Sequence, residues 1–298
     1  MTAIGSLEYA HARLWARYGA RPDDAAWRRV EHARELAGLV DVARASAFRH
    51  WITGIDATAT PHRIEAALRD RWRDLVFEVA SWMPDEWQAA VRWCAVVVDL
   101  PAIQHLARAG TALPWMRDEP IYRNLIGPKT GYSGAAPVAG PLAPLAAAWA
   151  DPDRTARAWR DEWQRRLPRR ADDEDSLAEL PSRSALRHSP VGRPGGVIES
   201  PSRSALRHSP LGRPGGLMHA LERELASHWR ALHDPSLGDG VALRRALQAR
   251  LALLFRRAMH DPAAAFIFLT QIALDLERLR GELVRRAAFP GLPLAGAA

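Results

Sequence analysis

The sequence predicts an all-α chain, a multi-helix bundle of related helical units interrupted by a long disordered insertion. Three observations carry that expectation. Ala, Leu and Arg are frequent and β-branched residues comparatively few, which favours helix over strand. Apolar residues recur at three- and four-residue intervals over long stretches. Several of those stretches begin at Thr-Pro or Asp-Pro, where the first residue accepts from an orphan N–H and proline needs no hydrogen bond of its own. With 298 residues, 48% of them hydrophobic, there is enough apolar surface for a sizeable core.

Asp23 or Asp24 is placed to cap a helix carrying Trp27, Val30 and Leu36, with Gly38 as its C-terminal left-handed residue. Thr60-Pro61 opens a second, whose stripe is Ile64, Leu68, Trp72, Leu75, Val79 and Trp82. Met83-Pro84 breaks and restarts the chain. Asp85 and Glu86 in the new first turn suit the helix dipole, and the helix is expected to run through Trp87, Val91 and Cys94 to about Val98. Asp99 caps or bends the segment Leu100 to Ala109. Residues 1–110 thus read as an N-terminal helical bundle.

Residues 111–150 form a Pro/Gly/Ala-rich connection without periodicity, long enough to separate two helical halves. Asp151-Pro152 starts a helix with Trp159 and Trp163 that stops at Pro168, so residues 151–178 read as one helix with an acidic end. Residues 179–218 hold a tandem repeat of period twenty, Glu179 to Gly196 recurring nearly unchanged from Glu199 to Gly216. A solenoid needs at least three such units with core-facing apolar positions, and this repeat offers mainly Ser, Arg, Pro and Gly, so disorder is expected. A C-terminal helical region, 219–298, follows. There Leu243, Leu247, Leu251 and Leu254 share one face, and Asp261-Pro262 opens a long helix carrying Leu269, Ile272, Leu276, Leu279 and Leu283.

The residues exclude several chemistries. Net charge is +7, but the repeat segment holds six Arg and two Glu, leaving 35 basic against 32 acidic residues elsewhere. No specific nucleic-acid binding is therefore expected. Cys94 is alone, inside an apolar run, which excludes an intramolecular disulfide and a Cys-based zinc cage and fits a cytoplasmic location. Gly127-Pro128-Lys129-Thr130 lacks the glycine before the lysine that a phosphate loop requires. Glu8-x-x-His11 has no second Glu-x-x-His for a di-iron site. No stretch reaches the roughly 18 to 20 unbroken apolar residues of a spanning helix. The expectation is a non-enzyme without catalytic, metal or cofactor residues. Twelve tryptophans exceed what core packing alone needs, so some of Trp27, Trp51, Trp87, Trp93 and Trp115 are expected at a protein interface.

The runs Tyr9-Ala-His-Ala-Arg13, Ile64-Glu65-Ala-Ala-Leu68-Arg69, Pro84-Asp-Glu86 and Asp99-Leu-Pro-Ala-Ile103-Gln-His-Leu106-Ala-Arg108 resemble the C subunit (AC39, or subunit d, family) of V-type and archaeal-type ATPases. Asp275-Leu276-Glu277-Arg278-Leu279-Arg280 is a weaker echo of the last motif. The resemblance covers about residues 7 to 110 and 240 to 289; the family's asparagine is Ala102 in one copy and Arg278 in the other, and residues 111 to 218 match nothing in it. It implies a non-catalytic coupling piece that seats the central stalk on the membrane rotor ring during proton or sodium transport, touching the membrane only through its complex. Arg278, Arg280, Arg285 and Arg286 on the last helix, with Trp115, are the candidate partner contacts. The competing expectation is a helical interaction or regulatory module unrelated to rotary ATPases.

Overall fold

The computed structural model describes residues 6–109, 111–122, 126–127, 131–132, 140, 142–148, 151–168, 216–234 and 239–290. Over these the chain is all-α. The β structure among them is one antiparallel ladder of two residues per strand, Ile126–Gly127 against Gly131–Tyr132. The repeat lies outside the described residues except for its end, where Gly216, Leu217 and Met218 belong to a helix instead, with Leu217 buried.

Helix α1 spans Leu7–Gly19, with the Ser6 hydroxyl accepting from the Tyr9 N–H. Asp23 caps α2, Asp24–His32, by accepting from the Ala26 N–H at 2.7 Å. The helix expected to continue to Gly38 stops six residues earlier, and Gly38 sits inside a separate helix α3, Leu36–Arg44. The reason lies far along the chain. Arg286 donates to the carbonyls of Val30, Glu31 and Ala33 at 3.2, 2.9 and 2.7 Å, so the carbonyls that end α2 are satisfied by a guanidinium rather than by a glycine turn.

Thr60 caps α4, Pro61–Trp82, and every residue of its expected stripe is buried. Helix α5, Asp85–Trp93, starts at Pro84 as expected but then tightens into a 3₁₀ segment, Cys94–Asp99, instead of continuing as α-helix to Val98. There the Trp72 indole donates to the Cys94 carbonyl at 3.1 Å, and Asp99 turns fully inward. Helix α6 is Leu100–Ala109. The proline- and glycine-rich connection is not merely a spacer, because Met116 and Tyr122 from its short 3₁₀ turns are core residues.

Helix α7, Thr155–Arg166, is locked to α5 by a reciprocal indole pair: Trp93 Nε1 donates to the Trp159 carbonyl at 2.9 Å and Trp159 Nε1 to the Trp93 carbonyl at 3.3 Å. Helices α8, Gly216–Leu232, and α9, Gly240–Arg257, form an antiparallel pair tied by Arg250 and Glu224 at 2.6 Å. The last helix, α10, is Ala263–Ala288 and buries a face running from Phe266 through Leu269, Ile272, Leu276 and Leu279 to Leu283. It packs along α4 and also meets α1, α3, α8 and α9. The N-terminal bundle and the C-terminal region therefore share one hydrophobic core.

At the α1 end of that core, buried His11 accepts from the Trp15 indole at 3.0 Å, and its ring lies 5.7 Å from that of His260. Burial first, and then the neighbouring His260, hold the His11 imidazole below its ordinary pKa; a backbone hydrogen bond at Ala258 works the other way. A base whose folded pKa is depressed contributes stability that is present above its unfolded value, near 6.5, and lost as pH falls through that value toward the folded one. The urea midpoint should accordingly fall between about pH 7.5 and about pH 5.5. His11→Gln, which keeps an acceptor for Trp15 without titrating, should make that fall smaller.

Candidate functional site

Two buried carboxylates organise the polar interior. Asp99, fully buried, accepts from Arg73 Nη2 at 2.7 Å and from the Tyr122 hydroxyl at 2.8 Å. Arg73 also meets Asp70 at 2.8 Å and Glu119 at 3.7 Å, and Glu119 accepts from Arg69 at 2.5 Å. The Arg69 guanidinium lies 4.6 Å over the ring of Trp115. Asp275, also buried, accepts from Arg21 Nε at 2.8 Å and Gln248 Nε2 at 3.0 Å, while Arg21 reaches Gln271 at 2.5 Å. Burial pushes both carboxyls above the usual carboxylate range, and their arginines oppose the shift. Burial likewise raises the Tyr122 phenol.

Each aspartate opens one of the two Asp-Leu runs of the sequence. Asp99 is followed four residues later by buried Ile103, and Asp275 four residues later by buried Leu279. Asp99 thus ties the 3₁₀ segment to α4, and Asp275 ties α10 to the turn after α1.

The four arginines expected at a partner surface differ widely in exposure, from sealed Arg286 to half-exposed Arg280. Arg278 donates to Glu31 at 2.8 Å and lies 4.1 Å over Trp27. Arg286, with 2% of its side chain exposed, is consumed by the end of α2 and by Glu282, so as a partner contact it is corrected to an internal cap. Arg285 pairs with Glu282 on its own helix at 3.3 Å. Arg280 pairs with Glu65 on α4 at 2.5 Å and keeps about half its side chain in solvent. It and half-buried Trp115 reach the molecular exterior, and both border the same groove.

That groove, of about 600 Å³, is bordered by α4, α6 and α10, with Pro101, Ala102 and His105 from α6 and Leu276, Glu277 and Arg280 from α10 among its lining. Its walls are mostly apolar, including Leu68, Trp72 and Val98. Of the other tryptophans expected at an interface, Trp27, Trp51 and Trp93 are buried and Trp87 is half-buried. Among the described residues the exposed tryptophan is Trp229, 65% accessible, which stands with Leu225 and Leu232 at four- and three-residue spacing on α8. Sequence reading missed these residues because they continue, at three- and four-residue spacing, the stripe begun by buried Leu217 and Leu221, and periodicity does not say where the cover of a stripe ends.

Cys94 is buried, its thiol lying against the Ala90 carbonyl, and burial pushes its pKa up to about 12, which leaves negligible thiolate at neutral pH. Among the described residues no group of three or more His, Cys, Asp or Glu is placed to hold a metal ion, and no helix is long and apolar enough to cross a membrane. Comparison with protein-family models, curated proteins and solved structures finds no match to this chain.

Arg286→Met, which removes the donors that terminate α2, should lower unfolding stability by about 2–3 kcal/mol, whereas Arg285→Ala should cost less than about 0.5 kcal/mol. Urea unfolding of the two variants compares them directly.

Proposed function

We propose that the chain is a non-catalytic coupling subunit of a V/A-type rotary ATPase, seating the central stalk on the membrane rotor ring. The observation that carries the reading is the pairing of the two Asp-Leu runs. Each delivers a buried aspartate to an arginine of another element, Arg73 on α4 or Arg21 in the turn after α1, and a buried aliphatic residue one turn later, and both runs line one groove. A unit used twice to brace long helices suits a part that transmits force and performs no bond chemistry. Ion pairs between separate elements, Arg280 with Glu65 and Arg21 with Asp275, are the kind of ties such a part would use.

A second reading, a helical interaction module outside any rotary ATPase, draws on the exposed stripe Leu225, Trp229 and Leu232. Exposed apolar residues grouped on one helix face mark a contact surface without naming its partner.

One experiment separates the readings. The tagged protein is isolated from gently solubilised native membranes and the copurifying chains are identified by mass spectrometry. Rotor-ring and central-stalk subunits are the expected companions; recovery of the chain alone from the soluble fraction would sink the coupling role, and recovery with other proteins would favour the second reading. Trp229→Glu should leave unfolding stability within about 0.5 kcal/mol, because the side chain is mostly in solvent. The same isolation repeated with that variant tests whether α8 is the docking face, and undiminished recovery would exclude it.

A further inference from the structure

We propose that the outer face of α9, with the end of α8 beside it, docks on an anionic lipid bilayer. The contact is peripheral, since no described helix is long and apolar enough to cross a membrane. It is independent of the coupling role and of any protein partner.

Helix α9 carries five arginines and no acidic residue in its 18 positions. Arg244 is taken up by Glu277 at 2.9 Å and Arg250 by Glu224 at 2.6 Å. Arg245, Arg256 and Arg257 are exposed and make no ion pair among the described residues. Nor is Asp239 at the head of the helix free to meet them, because its carboxylate accepts from the Val241 N–H at 2.8 Å.

The exposed side of α9 is apolar as well as cationic. Val241, Arg245, Ala249, Leu253 and Arg256 follow one another at spacings of four, four, four and three, which sets them along one side of the helix, and all of them are exposed. Leu247, Leu251, Leu254 and Phe255 bury the other side. Leu253 and Val241 keep about half their surface in solvent. Where α8 ends, Leu232 lies 4.0 Å from the place a Cβ would take on Gly240, the residue before Val241, and exposed Trp229 is three residues earlier.

This alternation of arginines and aliphatic side chains selects the occupant. A nucleic acid would meet the arginines but gain nothing from Val241 and Leu253, and α9 exposes no aromatic ring on which a base could stack. A folded acidic partner would need a separate pocket for each aliphatic side chain standing between charges. A bilayer needs no shaped counterpart: helices lying in its interface bury apolar side chains about 5–10 Å deep at the headgroup boundary, where arginines meet anionic lipid. Tryptophan is favoured at that same level.

The test is sedimentation of the full chain with vesicles of phosphatidylcholine, alone or mixed with phosphatidylserine. Binding to the mixed vesicles is expected, weakening as salt is raised. Arg245→Gln/Arg256→Gln should lower the partition coefficient by about tenfold or more, at roughly fivefold per arginine near an anionic surface. Because Cys94 is buried, Leu253→Cys can be labelled selectively with the fluorophore NBD, whose emission should shift to the blue on the mixed vesicles. Absence of binding overturns the proposal. So does binding that the two glutamines leave undiminished, which is what attraction through the arginine-rich repeat would give, and so does binding that leaves the label in water. The substituted side chains are exposed, so the fold should be unaffected. Circular dichroism checks this, and should the double variant not fold, the label on the otherwise unmutated chain decides alone.

Discussion

The architecture depends on two long helices, α4 and α10, being pressed side by side although almost two hundred residues separate them. Burial of their facing leucines, isoleucines and tryptophans supplies the driving force, which is non-directional and would tolerate sliding. The ion pairs supply the register. Arg280 meets Glu65 on α4, Arg278 meets Glu31 and stacks on Trp27, and Arg21 reaches back to Asp275. Each is geometrically demanding because a guanidinium fork satisfies a carboxylate only in a narrow range of positions. Apolar area holds the helices together, and arginine decides where they stop.

Burial of Asp99 and Asp275 has a cost that their partners must offset. A carboxylate removed from water is disfavoured as the charged form, which is why both groups titrate high. Replacing Asp275 by an apolar residue would relieve that cost yet leave Arg21 without its counter-charge, whereas Arg73 would keep Asp70 and Glu119 after loss of Asp99. Such nodes are better understood as fixing which helices meet than as adding stability.

Local chemistry was legible in the sequence and long-range chemistry was not. Asp23, Thr60-Pro61 and Pro84 announced helix starts because caps act within three residues. The stripe from Ile64 to Trp82 announced a buried face because periodicity is a property of one helix. By contrast, nothing within reach of Ala33 explains the end of α2; its cause is Arg286, some 250 residues away. Arg278, Arg280, Arg285 and Arg286 lie together near the C-terminal end of α10, yet one is sealed inside and another stands half in water. Composition assigns them all to a surface, and only the positions of Glu31, Glu65 and the α2 carbonyls distinguish them. Tyr122 was hidden for a related reason, since it lies in a stretch without periodicity and is buried by its bond to Asp99. The groove was not legible at all, because its two walls come from opposite ends of the chain.

The reliance of α2 and α4 on α10 also sets an order of events during synthesis. Helices α1 to α6 emerge first and can coil and collapse locally, but the apolar side of α4 that belongs to α10 has no cover until residue 288 has left the ribosome. At about 5–20 residues per second that interval is roughly ten to forty seconds. Contacts so distant along the chain form late and slowly. A nascent chain of this kind presents an open hydrophobic seam for most of its translation, which makes it a natural client for chaperones that bind such seams cotranslationally.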